Sequence, residues 1–381
     1  MRKFVAAAIL TTAFVTPAQA APTDDARVKS LVDAAVKPMM AKYAIPGMAV
    51  GVTANGKSYI FDYGVTAKGG KPVTHDTLFE LGSISKTFLV TLTALEAEEG
   101  TLSLSGSAGK YLPQVKGTPF ADVKLMNLAT HTAGGFPLQV PDAVTNQAQL
   151  MTWLRQWKPV YAAGAKRSYA NPSIGMLGVI VARAAHRDFA PLMEEKIFPG
   201  LGLKNTFIRV PASRMADYAE GYTKTDVSAR ITNGVLADEA YGVKSTAADM
   251  LHFVQENMGD SALPASWQRA IAATHTGYFK VGAMTQDLIW EQYAENASLQ
   301  TLRAGNSYTM LTTMPVSAIT PPQAPRADVW INKTGATNGF GGYIAFIPDK
   351  KLGIVILANK NYPNEDRVEI AHAVLHQLGA R

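Results

Sequence analysis

Cysteine is missing from all 381 residues, which excludes disulfides, thiolate metal sites and a cysteine nucleophile together. Stability must come from apolar burial, and a 47% hydrophobic composition over this length is ample for one large domain or two lobes. After the first twenty residues no stretch reaches the roughly 18 uncharged apolar residues of a membrane span, so no membrane anchor is expected. Lysine and arginine form no cluster dense enough for nucleic acid, and the net charge of +6 is only mildly basic. Gly-x-Ser-x-Gly is absent, which argues against a nucleophile elbow. His-Glu-x-x-His and His-x-His are absent too, so His372 and His376, although four apart as a zinc pair would be, read as surface histidines.

What is present begins with MRKFVAAAILTTAFVTPAQA. Basic Arg2 and Lys3, the apolar run Phe4 to Val15 and Ala18-Gln19-Ala20 have the form of a secretory signal cleaved before Ala21. A soluble, exported protein with a net charge of about +4 is expected. From Asp24 to Tyr43 apolar residues recur at helical spacing until Pro46-Gly47. MAVGVTANGKSYIFDYG then reads as two strands joined at Asn55-Gly56, a pair suited to the positive φ angles of a type I′ turn. Candidate helices follow at Lys86–Glu99, Val123–Thr130, Ala148–Gln156, Ile174–Ala185 and Thr246–Asn257. VWINKTGAT, YIAFIP and IVILAN have the spacing of a three-strand meander, and Glu365–Leu378 is a closing helix. The expected fold is α+β, an α/β sandwich: residues 21–82 and 285–381 make an antiparallel-sheet lobe flanked by terminal helices, and 83–284 an inserted, mainly helical lobe. The cleft between them is the expected site.

Three short patterns carry chemistry. Ser-x-x-Lys occurs twice. Ser107 and Lys110 lie among Ser105, Gly106 and Gly109, which favour a loop. Ser83 and Lys86 precede the apolar helical pattern Phe88, Leu89, Leu92, Leu95, so Lys86 would stack on the face of Ser83 and reach its hydroxyl. A partly desolvated amine can help take the serine's proton, and a helix N-terminus favours a developing oxyanion. Tyr169-Ala170-Asn171 offers a phenol for proton relay and an amide for substrate, although Tyr362-Pro363-Asn364 repeats the pattern. Lys333-Thr334-Gly335 occurs once. On an edge strand it would offer a cation and a hydroxyl to a carboxylate, with glycine allowing close approach.

In this order, Ser-x-x-Lys, Tyr-Ala-Asn and Lys-Thr-Gly resemble the elements of active-site serine β-lactamases and penicillin-binding proteins. Tyr-Ala-Asn in place of Ser-Asp-Asn points to class C β-lactamases. LFELGSISKTF, LATHTAGGFPLQVP, YANPSIG, EAYGVKST, INKTGATNGFGGY and ILANKNYPNEDRV extend the likeness over nearly the whole mature chain. The resemblance implies that Ser83 is acylated, that Lys86 and Tyr169 share the general-base work, and that the backbone N–H groups of Ser83 and Ala336 form an oxyanion hole. It implies that Gln139 and Asn171 bind the amide of an antibiotic's side chain. Lys333, Thr334, Asn364 and Arg367 would face its carboxylate beside Gly335, and Tyr241 would wall the side-chain subsite on a loop from about Val210 to Lys244. It further implies a periplasmic monomer that hydrolyses cephalosporins and penicillins without metal or other cofactor. A D-alanyl-D-alanine carboxypeptidase or esterase of the same fold is the rival enzyme, although several such relatives carry His-x-Gly where this chain has Lys-Thr-Gly. A β-lactam sensor that stays acylated would normally be tethered to a membrane. His131 reads as structural support behind Gly134-Gly135, Met39-Met40 and Trp153 with Trp157 as packing, and Glu96, Glu98 and Glu99 as a solvated helix face.

Overall fold

The computed structural model describes residues 24–259 and 262–379; the signal-like segment and the cleavage point at Ala21 lie outside them. Nine strands form one antiparallel sheet: β1 (Gly47–Ala54), β2 (Lys57–Gly64), β3 (Gly277–Val281), β4 (Met284–Gln286), β5 (Glu291–Ala294), β6 (Ser317–Gln323), β7 (Val329–Ala336), β8 (Gly341–Ile347) and β9 (Leu352–Ala358). Their order across the sheet is β6-β3-β4-β5-β7-β8-β9-β1-β2. The hairpin between β1 and β2 turns at Asn55 and Gly56, with φ of +52° and +74°, the mirror-image geometry that suits the strands' twist.

The sheet is covered on both sides. Helices α1 (Asp24–Tyr43) and α5 (Asn364–Gly379) place Val28, Val32, Val36, Val368, Val374 and Leu375 against one face. On the other face α4 (Ala247–Asn257) lies against β1 and β9, and Gly51 is small enough that a Cβ there would stand 3.2 Å from that of Leu251. Because neither face meets water, β1, β8 and β9 are buried along their whole length, and they read in the sequence as continuous apolar runs instead of alternating ones. Helix α2 (Ser85–Glu98) runs through the helical region and is joined to the sheet by an aromatic chain. Phe88 lies 4.3 Å from Phe253 between ring centres, Phe253 6.2 Å from Trp290, and Trp290 5.4 Å from Phe346. One apolar core therefore extends from the sheet into the helical region.

Some boundaries differ from the sequence reading. The sheet is rejoined at Gly277, ahead of the expected residue 285. Helix α3 spans Asn171–Ala184, starting three residues before Ile174 because Pro172 sits in its first turn, where a missing N–H costs nothing. Glu96 is not on a solvated face: it is 2% exposed and accepts a 2.7 Å hydrogen bond from Lys196 Nζ. Among the described residues no helix is long and apolar enough to cross a membrane.

Candidate active site

Ser83 does not sit in α2 itself but in the 3₁₀ turn Gly82–Ile84 that leads into it. Lys86, in the first turn of α2, still reaches the serine: its Nζ donates to Ser83 Oγ at 2.8 Å. Its other acceptor is the Ala240 carbonyl, also at 2.8 Å, and the lysine is completely buried. Burial pushes its ammonium down to about 8, with the Lys333 cation adding to the fall and Tyr169 opposing it.

Tyr169 stands two residues before the start of α3. Lys333 Nζ lies 5.2 Å and Lys86 Nζ 5.4 Å from its ring centre. Burial would raise the phenol, but the cations of Lys333 and Lys86, and then the Ser83 hydroxyl, outweigh it and hold Tyr169 at about 8. A serine, an amine and a phenol thus lie in mutual contact at one point. The amine and the phenol are both held at about 8, well below their ordinary values, which is the direction a general base at neutral pH calls for.

The Lys-Thr-Gly strand reaches this point because the sheet opens beside it. The ladder between β5 and β7 ends at Asn332 opposite Glu291, so the residues from Lys333 to Ala336 keep only β8 as strand partner. Two glycines then let β7 and the serine turn touch. Gly82 has φ of +53°, and a Cβ there would fall 2.4 Å from the Ala336 carbonyl oxygen; a Cβ on Gly335 would fall 2.0 Å from that of Leu81. No real Cβ tolerates such contacts, so glycine at both positions brings the backbone of Ser83 and Ala336 together.

A cavity of about 440 Å³ opens over this point, and Ser83, Tyr169, Gln139, Asn171, Tyr241, Lys333, Thr334, Gly335, Ala336 and Asn364 all line it. Asn171 Nδ2 donates to Gln139 Oε1 at 2.9 Å, while Asn171 Oδ1 is buried without a partner. Asn364, from the second Tyr-x-Asn, also carries an unpartnered Oδ1. Arg367 corrects the reading. Expected to face a carboxylate, it is fully buried behind β7. It donates to the carbonyls of Gly335 at 2.7 Å and Gly342 at 3.3 Å, to Asn361 Oδ1 at 3.0 Å and to the Tyr362 carbonyl. A desolvated guanidinium needs such partners, and here it braces the strand from the rear.

The sequence reading missed Arg167 and Glu291, which line the cavity. Arg167 is 1% exposed and donates to Gln286 Oε1 at 2.6 Å, the Met310 carbonyl at 2.7 Å and Glu291 Oε1 at 3.2 Å. Its position two residues before Tyr169 was a signal, but its partners lie more than a hundred residues away. His131, read as structural, lies 4.3 Å from Tyr169 between ring centres. The second Ser-x-x-Lys stays apart. Ser107 precedes a short helix, Ala108–Tyr111, where a loop was expected, and exposed Lys110 lies 5.2 Å over the Tyr111 ring. His372 and His376 stack at 5.4 Å; among the described residues no three His, Cys, Asp or Glu side chains gather as a metal site.

The β-lactamase family profile matches residues 32–379. A β-lactamase of Pseudomonas fluorescens is 47% identical over 353 residues, covering 92% of this chain and 99% of that protein. A D-alanine carboxypeptidase structure from Burkholderia cenocepacia superposes with a TM-score of 0.89 at 52% identity, over 92% of this chain and 99% of the other. A class C β-lactamase in complex with cefoxitin superposes with a TM-score of 0.91 at 46% identity, over 93% and 100%. With a Ser-x-x-Lys serine, a Tyr-x-Asn and a Lys-Thr-Gly strand around one cavity, this chain belongs to the β-lactamase family as a class C serine β-lactamase.

Proposed function

We propose that the chain hydrolyses cephalosporins and penicillins through an acyl-enzyme on Ser83. The observation that carries the reading is the 2.8 Å contact between Lys86 Nζ and Ser83 Oγ inside a site where Tyr169 faces two lysines. Ser83 Oγ attacks the lactam carbonyl while the Lys86–Tyr169 network takes its proton. The carbonyl oxygen becomes an oxyanion held by the N–H groups of Ser83 and Ala336. The C–N bond then breaks, the ring nitrogen receives the proton through Tyr169, and the acyl group remains on Ser83. Water, deprotonated by the same network, attacks the ester and releases the product acid. Lys333 and Thr334, with Asn364, receive the substrate carboxylate, Asn171 and Gln139 its side-chain amide, and Tyr241 walls that side.

Export to the periplasm belongs to this reading and is supported by the N-terminal basic, apolar and Ala-Gln-Ala pattern. A second reading, cleavage of the terminal D-alanine from peptidoglycan peptides, is favoured by the carboxypeptidase name of the Burkholderia cenocepacia neighbour. Such peptides present an amide and a carboxylate to the same partners. The test is a time course of chromogenic cephalosporin opening by the chain from Ala21 onward with chelator present, beside D-alanine release from an acyl-D-Ala-D-Ala peptide. Sustained opening far beyond one equivalent supports the β-lactamase reading. A single-equivalent burst with steady D-alanine release transfers the assignment to the carboxypeptidase.

A further inference from the structure

His131 brackets Tyr169 from three directions. Its carbonyl accepts the N–H of Ser168 at 2.9 Å, and its Nδ1 accepts the N–H of Ala170 at 3.3 Å. Its ring lies on the phenol between these two residues, 4.3 Å centre to centre and tilted by 41°. It is 2% exposed and holds a left-handed backbone with φ of +57°, which histidine tolerates better than most residues with a Cβ. Since Nδ1 accepts, the neutral ring carries its proton on Nε2, and that atom is buried without a partner.

We propose that His131 is a positioning residue for the proton-transfer reaction: it seats the phenol oxygen of Tyr169 beside Ser83 and excludes water from the far side of the ring. The inference rests on the reading of Tyr169 as a proton carrier. Burial holds the imidazole well below its usual range, with Arg167, Lys86 and Lys333 pressing the same way, so no further cation is added beside the phenol. The charged groups that bear on Tyr169 are Lys86 from α2, Lys333 from β7, Arg167 at 5.5 Å from its ring centre and Glu291 from β5. Of these, Lys86 and Lys333 hold the phenol low, and their grip depends on a dry surrounding. Taking the imidazole away admits water, weakens that grip and lets the phenol drift back toward its ordinary value.

Two variants separate the ring from the acceptor. His131→Asn keeps an acceptor close to Nδ1 and tolerates the positive φ but loses the ring; His131→Phe keeps a ring and loses the acceptor. The readout is kcat/KM against pH for a chromogenic cephalosporin, per active site titrated by a slowly released β-lactam, beside the melting temperature. For His131→Asn, kcat/KM is expected to fall by at least about tenfold, toward the 10²-fold cost of a misplaced catalytic group, with the ascending pH limb moved upward. For His131→Phe the limb stays near the parent's while kcat falls. If both variants melt lower yet keep the parent kcat/KM and limb per active site, histidine only packs and the inference is overturned. Tyr169→Phe is assayed in parallel. Full turnover in that variant would overturn the reading of Tyr169 itself, a failure distinct from that of His131.

Discussion

Ser83 with Lys86 and Ser107 with Lys110 are the same residues at the same spacing, each beside the start of a helix. In the first pair the ammonium is stripped of water and bound to the serine hydroxyl and one carbonyl. In the second it is exposed and leans over Tyr111. Spacing supplies reach, but burial supplies chemistry. Helix α2 is covered on all sides, buried at every residue from Ser85 to Glu96, whereas in the short helix Ala108–Tyr111 only Ala108 is buried. Only in the dry setting does an amine lose enough of its preference for the proton to trade it with a hydroxyl.

The comparison can be broken most severely at Ser83, the proposed nucleophile. Ser83→Ala is expected to lower turnover by at least about 10⁴-fold with little change in melting temperature, while Ser107→Ala leaves both as they are; initial rates and thermal melts decide. Retained turnover in Ser83→Ala would move the nucleophile elsewhere.

Lys86→Met should lower kcat by roughly 10²–10⁴-fold and yet raise stability. The fall from 10.5 to about 8 corresponds to on the order of 3 kcal/mol held against folding at neutral pH. The sign follows from proton counting. Between about pH 8 and 10.5 the unfolded chain binds the proton that folded Lys86 has lost, so stability climbs with pH through that window and is lower below it. Denaturation measured from pH 7 to 10 should show this climb in the parent and a shallower one in Lys86→Met. Lys110→Met should alter neither turnover nor slope.

A smaller effect is expected at Lys333→Ala. Losing the proposed charge-assisted contact to a substrate carboxylate should cost about 2 kcal/mol, roughly 30-fold in kcat/KM, carried mainly by KM. A loss confined to kcat would mean that its chief duty is to hold the Tyr169 phenol low. At the small end, the double change Ser107→Ala with Lys110→Ala should shift unfolding free energy by no more than about 0.5 kcal/mol.

Legibility followed locality. The helix at Asp24–Tyr43, the turn at Asn55-Gly56 and the three strands from Val329 to Ala358 were visible because spacing and turn chemistry act between neighbours. The strands at Gly277–Val281, Met284–Gln286 and Glu291–Ala294 escaped because they are short and carry polar residues such as Gln286 and Glu291 that pair only in the folded interior. Ser317–Gln323 contains two prolines, which a strand accepts here because it lies at the sheet's outer edge. In the site, Lys86 was readable from three residues away. Arg367 was misplaced because its distance from the cavity depends on which side of β7 it packs.

The sequence by itself determined the chemical parts and their order: a serine with a lysine three residues on, a phenol with an amide, a cationic strand with a glycine, and no thiol. Only the tertiary structure decided which serine–lysine pair is dry, which edge of β7 is open, and that His131, Arg167 and Glu291 gather around Tyr169. The reason is physical. Reach along a helix or turn is set by covalent geometry within a few residues, whereas desolvation and the field of nearby charges are set by everything that packs around a group, and those neighbours come from the whole chain.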